Sequence, residues 1–181
     1  MTSDRDRKIL LQLARDSIVA HVAGQRAAAP PLEGALAVKG GAFVTIHVGG
    51  ELRGCIGHVE LDEPIGRVIP RCAVAACSAD PRFPPVTAQE IETLDVELSL
   101  LGQLEAIADP SQIEIGRHGL IVERDGFRGL LLPQVATEWN WDRETFLAHT
   151  CKKAGLPSDA WRNGARLWRF EAEVFGEIRP V

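Results

Sequence analysis

Tyrosine is absent from this 181-residue chain, and only six phenylalanines and four tryptophans stand beside that gap. A strand surface that stacks nucleic-acid bases needs aromatic platforms. The charge balance points the same way: 20 basic against 25 acidic residues give a formal net charge of -5, the wrong sign for bulk attraction to phosphate. Nucleic acid is therefore a disfavoured partner. No apolar run approaches the roughly 18 residues of a membrane-spanning helix, and Met1 to Lys8 are mostly charged rather than signal-like. We expect a soluble cytoplasmic protein without a membrane partner. The glycine-rich phosphate cradles of P-loop and dinucleotide-binding proteins are missing, as is a Gly-x-Ser-x-Gly elbow, which disfavours ATP hydrolysis and serine esterase chemistry. Cysteine is sparse too. Cys55, Cys72, Cys77 and Cys151 are irregularly spaced, which argues for free thiols in reducing surroundings.

What the chain does carry is the run Leu52-Arg53-Gly54-Cys55-Ile56-Gly57. Side chains alternate along a strand, so Arg53 and Cys55 are expected on one face and Leu52 and Ile56 on the other, a cation beside a thiol backed by an apolar anchor. Glycine weakens a strand unless something approaches its backbone, so Gly54 and Gly57 read as openings for access. A guanidinium close to a thiol favours the thiolate, making Arg53 a candidate activator of Cys55. His58, His118 and His149 are candidate bases for it, and Asp80 and Glu97 the carboxylates. Each residue also has a plainer reading. Cys55 suits small apolar packing equally well. Arg82, in Asp80-Pro81-Arg82-Phe83, is fitted to clamp a carboxylate or phosphate, or to pair with a neighbouring acid. Gly116-Arg117-His118-Gly119 points to close approach of a partner backbone or ligand, although a bulge leaves the same signature. His149, Lys152 and Lys153 complement a helix C-terminus, and Cys72, Cys77 and Cys151 read as core. Cys55 and His58 make two zinc ligands without the second pair a structural site requires, so no metal or cofactor is expected.

The length supports burial of roughly 70 % of the unfolded surface, enough for one sizeable core or two small interlocked lobes. Ser3 is placed to cap a first helix whose stripe is Leu10, Ala14, Ile18 and Val22, ending at Gly24. Phe43 to Val48 and Leu52 to Val59 flank Gly49-Gly50 as a hairpin. Glu63 to Ala79 reads as a helix capped by Asp62, with Pro70 expected to kink or break it. Asp95 to Leu101 alternates as a half-buried strand. Ile113 to Glu123 and Phe127 to Leu132 flank Asp125-Gly126 as a second hairpin. Asp142 is the expected cap of a helix over Arg143 to Ala154, ended by Gly155. Leu167 to Val174 is the closing strand, with Trp168, Phe170, Ala172 and Val174 on one face. The triplets Leu52-Arg53-Gly54 and Phe127-Arg128-Gly129 echo each other after a tight turn, a match short enough for chance. Interspersed strands and helices give an α+β class with a largely antiparallel mixed sheet.

On six blocks in order the chain resembles the AMMECR family. They are LRGCIG at 52–57, DPRFPPV at 80–86, VELSLL at 96–101, GRHGLIV at 116–122, LLLPQVATEW at 130–139 and FLAHTCKKAGL at 146–156. The resemblance covers nearly the whole length, and residues 1–181 are taken as one domain of that type. It implies an α+β fold with a larger and a smaller lobe and LRGCIG as functional signature. For the bacterial members, the A proteins of the AmmeMemoRadiSam system, it also implies association with a Memo-type protein and a radical-SAM protein. It implies no established reaction.

Two functional expectations follow. In the first, a cleft between the lobes binds a small anionic substrate or modified residue through Arg53, Gly54, Gly57, Asp80 and Arg82. Cys55 is its covalent or acid–base catalyst, and His149 or His118 carries the proton. In the second, the LRGCIG strand docks a protein, or less readily RNA, in a non-catalytic regulatory module.

Overall fold

The computed structural model describes residues 2–177. In chain order its elements are α1 (Asp4–Val22), β1 (Ala42–Val48), β2 (Glu51–His58), α2 (Ile65–Ser78), β3 (Leu94–Leu101), β4 (Glu105–Ile107), β5 (His118–Arg124), β6 (Phe127–Leu131), α3 (Pro133–Glu138), α4 (Arg143–Lys153) and β7 (Arg166–Gly176), with short 3-10 turns between them. The α+β class with antiparallel pairing is what the sequence pattern predicts. The chain divides into two compact units: residues up to Leu101 together with those from Glu173 onward, and Gly102–Ala172.

In the first unit β1 is the central strand, pairing antiparallel with β2 on one side and β3 on the other. Its hairpin turns through Gly49 and Gly50 at φ 61° and 85°, the left-handed pair a two-residue turn demands. Ala42, Val44 and Ile46 are wholly buried, packed on α2 in a core shared with the Leu10–Ala14–Ile18 stripe of α1. Ser3 caps α1 as expected, its hydroxyl accepting the Asp6 N–H at 3.2 Å. Helix α2 departs from expectation. It starts at Ile65, with Pro64 rather than Asp62 at the N-cap, and continues through Pro70 to Ser78. Proline removes one intrahelical hydrogen bond and crowds the carbonyl four residues back, which here belongs to Gly66. Burial of Val68, Ile69, Cys72, Ala73 and Ala76 along the same helix outweighs that cost. Cys72 and Cys77 lie in this core, where burial pushes both thiols up to about 11.

In the second unit β5 pairs with β6 across Asp125-Gly126, at φ 53° and 83°, and with β7 on its other side. Strand β5 begins at His118 rather than Ile113, because residues 114–117 form a turn closed by the Arg117 and His118 N–H groups on Glu114 O. The short β4 lies against β7, and α3 precedes α4. Asp142 caps α4 through the Thr145 N–H at 2.8 Å, and Phe146, Leu147, Thr150 and Cys151 are fully buried beneath it. Phe170 of β7 lies over its cross-strand partner Gly119, where a methyl group would overlap the ring.

The echo between the hairpins has a physical counterpart. A side chain at Gly54 would collide with the Ala76 carbonyl of α2, and one at Gly129 with the Ala154 backbone just after α4. In each unit the glycine two residues into the returning sequence echo lets a helix lie directly on the strand.

Candidate functional site

The LRGCIG segment occupies β2, and its register is not simple. Ile46 pairs with Gly54 but His47 pairs with Leu52, leaving Arg53 as the extra residue of a bulge. The bulge breaks the alternation expected from the sequence. Leu52 is 40 % exposed and anchors nothing, whereas Ile56 does pack on the core. Arg53 turns to the loop that follows α2: its guanidinium donates to Glu90 at 2.7 Å and 3.3 Å, to Pro84 O at 2.6 Å and to Pro85 O at 3.1 Å. Glu90 also accepts from the Thr87 N–H and hydroxyl, at 2.7 Å and 2.9 Å. The Arg53 guanidinium, with some help from Thr87, holds the Glu90 carboxyl down to about 2.

Within its unit β2 is an edge strand, and at Cys55 the edge is covered by side chains. The Cys55 N–H donates to Asp80 Oδ2 at 2.9 Å, and Arg82 Nη2 donates to Cys55 O at 3.4 Å. Asp80 is nearly sealed from solvent. Its other bonds are to the Arg82 N–H at 3.1 Å and to the Arg82 guanidinium at 3.0 Å and 2.7 Å. Arg82 above all holds the Asp80 carboxyl well below the usual carboxylate range. An Asp–Arg pair in the DPRF loop thus supplies the acceptor and donor that a neighbouring strand would otherwise provide.

The thiol itself is half-buried. Thr45, its cross-strand partner on β1, places its hydroxyl 3.3 Å from Sγ, and Glu97 follows in the same row on β3. Burial pushes the Cys55 thiol above its ordinary value, opposed by the Thr45 hydrogen bond and the charge of Arg82. The cation acting on Cys55 is therefore Arg82, not Arg53 as the sequence suggested. Gly57 serves packing: a side chain there would overlap the Phe43 ring across the ladder.

The sequence profile of the AMMECR1 family matches residues 11–175. The chain belongs to the AMMECR1 family. It is 45 % identical to a protein of Methanothermobacter thermautotrophicus over 179 residues, 94 % of this chain and 93 % of that one. A Methanosarcina acetivorans protein is 42 % identical, covering 99 % of this chain and 96 % of its own length. The crystal structure of the uncharacterised protein PH0010 from Pyrococcus horikoshii superposes with a TM-score of 0.88 at 40 % identity, over 95 % of this chain and 91 % of that one.

The structure of this AMMECR1 chain brings Arg53, Gly54, Cys55, Gly57, Asp80 and Arg82 into one strand-and-loop assembly of the first unit. His118 and His149 belong to the second unit. His118 is buried at the start of β5 and accepts the Glu114 N–H on Nδ1 at 3.0 Å. His149, on α4, stacks on Trp141 with ring centroids 4.0 Å apart, and Trp141 stacks in turn on the exposed Trp139 at 6.2 Å. His58, Asp62 and Glu63 bring one potential metal-ligand atom each within 4.8 Å of the others. Glu63 is also bonded twice to Arg71, which favours an ion-pair cluster. Among the described residues no helix is long and apolar enough to cross a membrane. Thr45 and Glu90 were absent from the sequence-derived site. Glu90 had a signal, since Thr87-Ala88-Gln89-Glu90 carries the Thr-x-x-Glu spacing that lets a carboxylate reach back to a backbone N–H. Thr45 had none.

Proposed function

We propose that this chain is a partner-binding module, in which the LRGCIG strand and the DPRFPPV loop form one rigid surface and Cys55 is a neutral thiol rather than a nucleophile. The observation that carries this reading is that both guanidiniums beside the motif are spent on carboxylates of the fold, Arg53 on Glu90 and Arg82 on Asp80. Arg53 is thereby withdrawn from Cys55, and Arg82, though its side chain is exposed, already has its charge matched by Asp80. Gly54 and Gly57 make room for α2 and Phe43, so the motif's composition is accounted for by packing. What the surface offers outward is Leu52, exposed Pro84 and Pro85, and the Arg82 guanidinium 5.3 Å above the Phe83 ring. Arginine and aromatic groups beside apolar surface are the chemistry that dominates protein interfaces. The family resemblance nominates a Memo-type protein and a radical-SAM protein as partners.

The test is binding of each purified candidate to the immobilised full chain. Cys55→Ala should bind within about twofold of the parent, whereas Leu52→Glu and Phe83→Ala should each weaken binding about tenfold, or roughly 1.4 kcal/mol. Loss of binding in Cys55→Ala with Leu52→Glu unchanged would overturn the proposal. One observation favours the cysteine-dependent enzyme as a second reading: Cys55 alone of the four thiols is not fully buried, and the Arg82 charge partly offsets the rise that burial imposes on its pKa.

A further inference from the structure

The second unit holds a half-open cavity of about 750 Å³, within the range of small-molecule sites, whose lining includes His118, Arg143 and Arg169. Arg117 and His118 of the Gly-Arg-His-Gly sequence, which the partner surface above leaves unused, both line it. One peptide group organises its chemistry. The carbonyl of Ile113 accepts from Arg143 Nε at 3.0 Å, and the N–H at the other end of the same peptide, that of Glu114, donates to His118 Nδ1 at 3.0 Å. An imidazole that accepts on Nδ1 carries its proton on Nε2. His118 is 6 % exposed, and among the described residues its Nε2 has no hydrogen-bond partner. Burial first, then the charges of Arg169 and Arg117, lowers its pKa and keeps the ring neutral.

The remaining charges are largely committed. Arg169 donates to Glu105 and to Gln112 O, and Arg117 pairs with Glu114 and Glu171. Asp109 feels the Arg143 charge, but its carboxylate is occupied by the Ser111 N–H at 2.7 Å. Arg143 has no carboxylate within ion-pair distance among the described residues, and it stands in the first turn of α4, where the helix dipole disfavours a cation. The cavity thus keeps donors in reserve, the outer N–H groups of Arg143 and Nε2–H of His118, while the negative charges of Glu105, Glu114 and Glu171 are each matched by Arg169 or Arg117.

We infer that this cavity is a binding site for a small molecule bearing an oxyanion, a carboxylate or a phosphate, gripped by Arg143 and by the neutral His118. Only an acceptor group complements an array of unspent donors, and a negative one also relieves the cation at the start of α4. The site lies wholly in the second unit, so it stands whether or not the partner-binding reading does.

The experiment is a titration of the full chain, labelled with 15N-histidine, with sodium phosphate and separately with sodium succinate, followed by the His118 ring nitrogens. A saturable shift of the Nε2 resonance, with a dissociation constant below about 5 mM, is expected for at least one anion. Phosphate alone identifies a phosphorylated ligand, and succinate alone a carboxylic acid. Arg143→Ala should weaken that binding at least fivefold, with Lys8→Ala unchanged. Unmoved or non-saturating His118 signals in the parent protein with both anions would overturn the inference, independently of how any variant folds.

Discussion

Replacing Asp80 with alanine removes the one carboxylate that closes the β2 edge. Two backbone donors, the N–H groups of Cys55 and Arg82, lose their acceptor, and the Arg82 guanidinium loses its partner. The two neutral donors contribute about 1 kcal/mol each, and the charge-assisted pair adds roughly 1.5–3 kcal/mol in a buried setting. The Arg82 side chain is 53 % exposed and regains water, so the lower end applies to the pair. The total is about 3.5 kcal/mol. With a urea m-value near 2 kcal/mol/M, the midpoint should fall by roughly 1.7 M. Asp80→Asn keeps one acceptor oxygen and should lose about half as much. Urea unfolding should be followed by far-UV circular dichroism, because all four tryptophans belong to the second unit and Asp80 to the first. An Asp80→Ala midpoint within about 0.2 M of the parent would refute the edge-closure argument, since even one lost buried acceptor exceeds that shift.

Other perturbations probe the same assembly. Gly54→Ala forces a methyl group against the Ala76 carbonyl and should destabilise by about 3 kcal/mol or more, read as a lowered thermal midpoint. Because the Glu90 carboxyl titrates at about 2 in the fold against 4.5 when free, its ionised form favours folding above pH 4.5, and that contribution disappears as the pH falls towards 2. Glu90→Gln should therefore lower stability at pH 7 and flatten its dependence between those pH values, as measured by urea unfolding at each pH. Trp141→Ala should free the His149 ring from its stack and shift its NMR resonances while leaving those of His118 in place.

The turns were legible because Gly-Gly and Asp-Gly are among the few dipeptides that accept two left-handed residues in succession. The caps at Ser3 and Asp142 were legible because a short acceptor before an apolar stripe has one use. Pro70 misled because tertiary burial outweighed a local penalty, and β4 is too short for its alternation to stand out. The site was legible as a neighbourhood and misread in its couplings. Alternation paired Arg53 with Cys55, but the bulge sends Arg53 to Glu90, which is 37 positions away in sequence. No periodicity records a bulge, or that Asp80 takes the Cys55 N–H from 25 positions away.

The most direct test of the account is the rate of Cys55 alkylation by iodoacetamide as a function of pH, with modification at residue 55 quantified by mass spectrometry in the native chain. A neutral thiol shielded by burial should titrate above the free value of about 8.5. A midpoint below about 7.5 would mean a stabilised thiolate, and would contradict a Cys55 that serves the surface rather than chemistry.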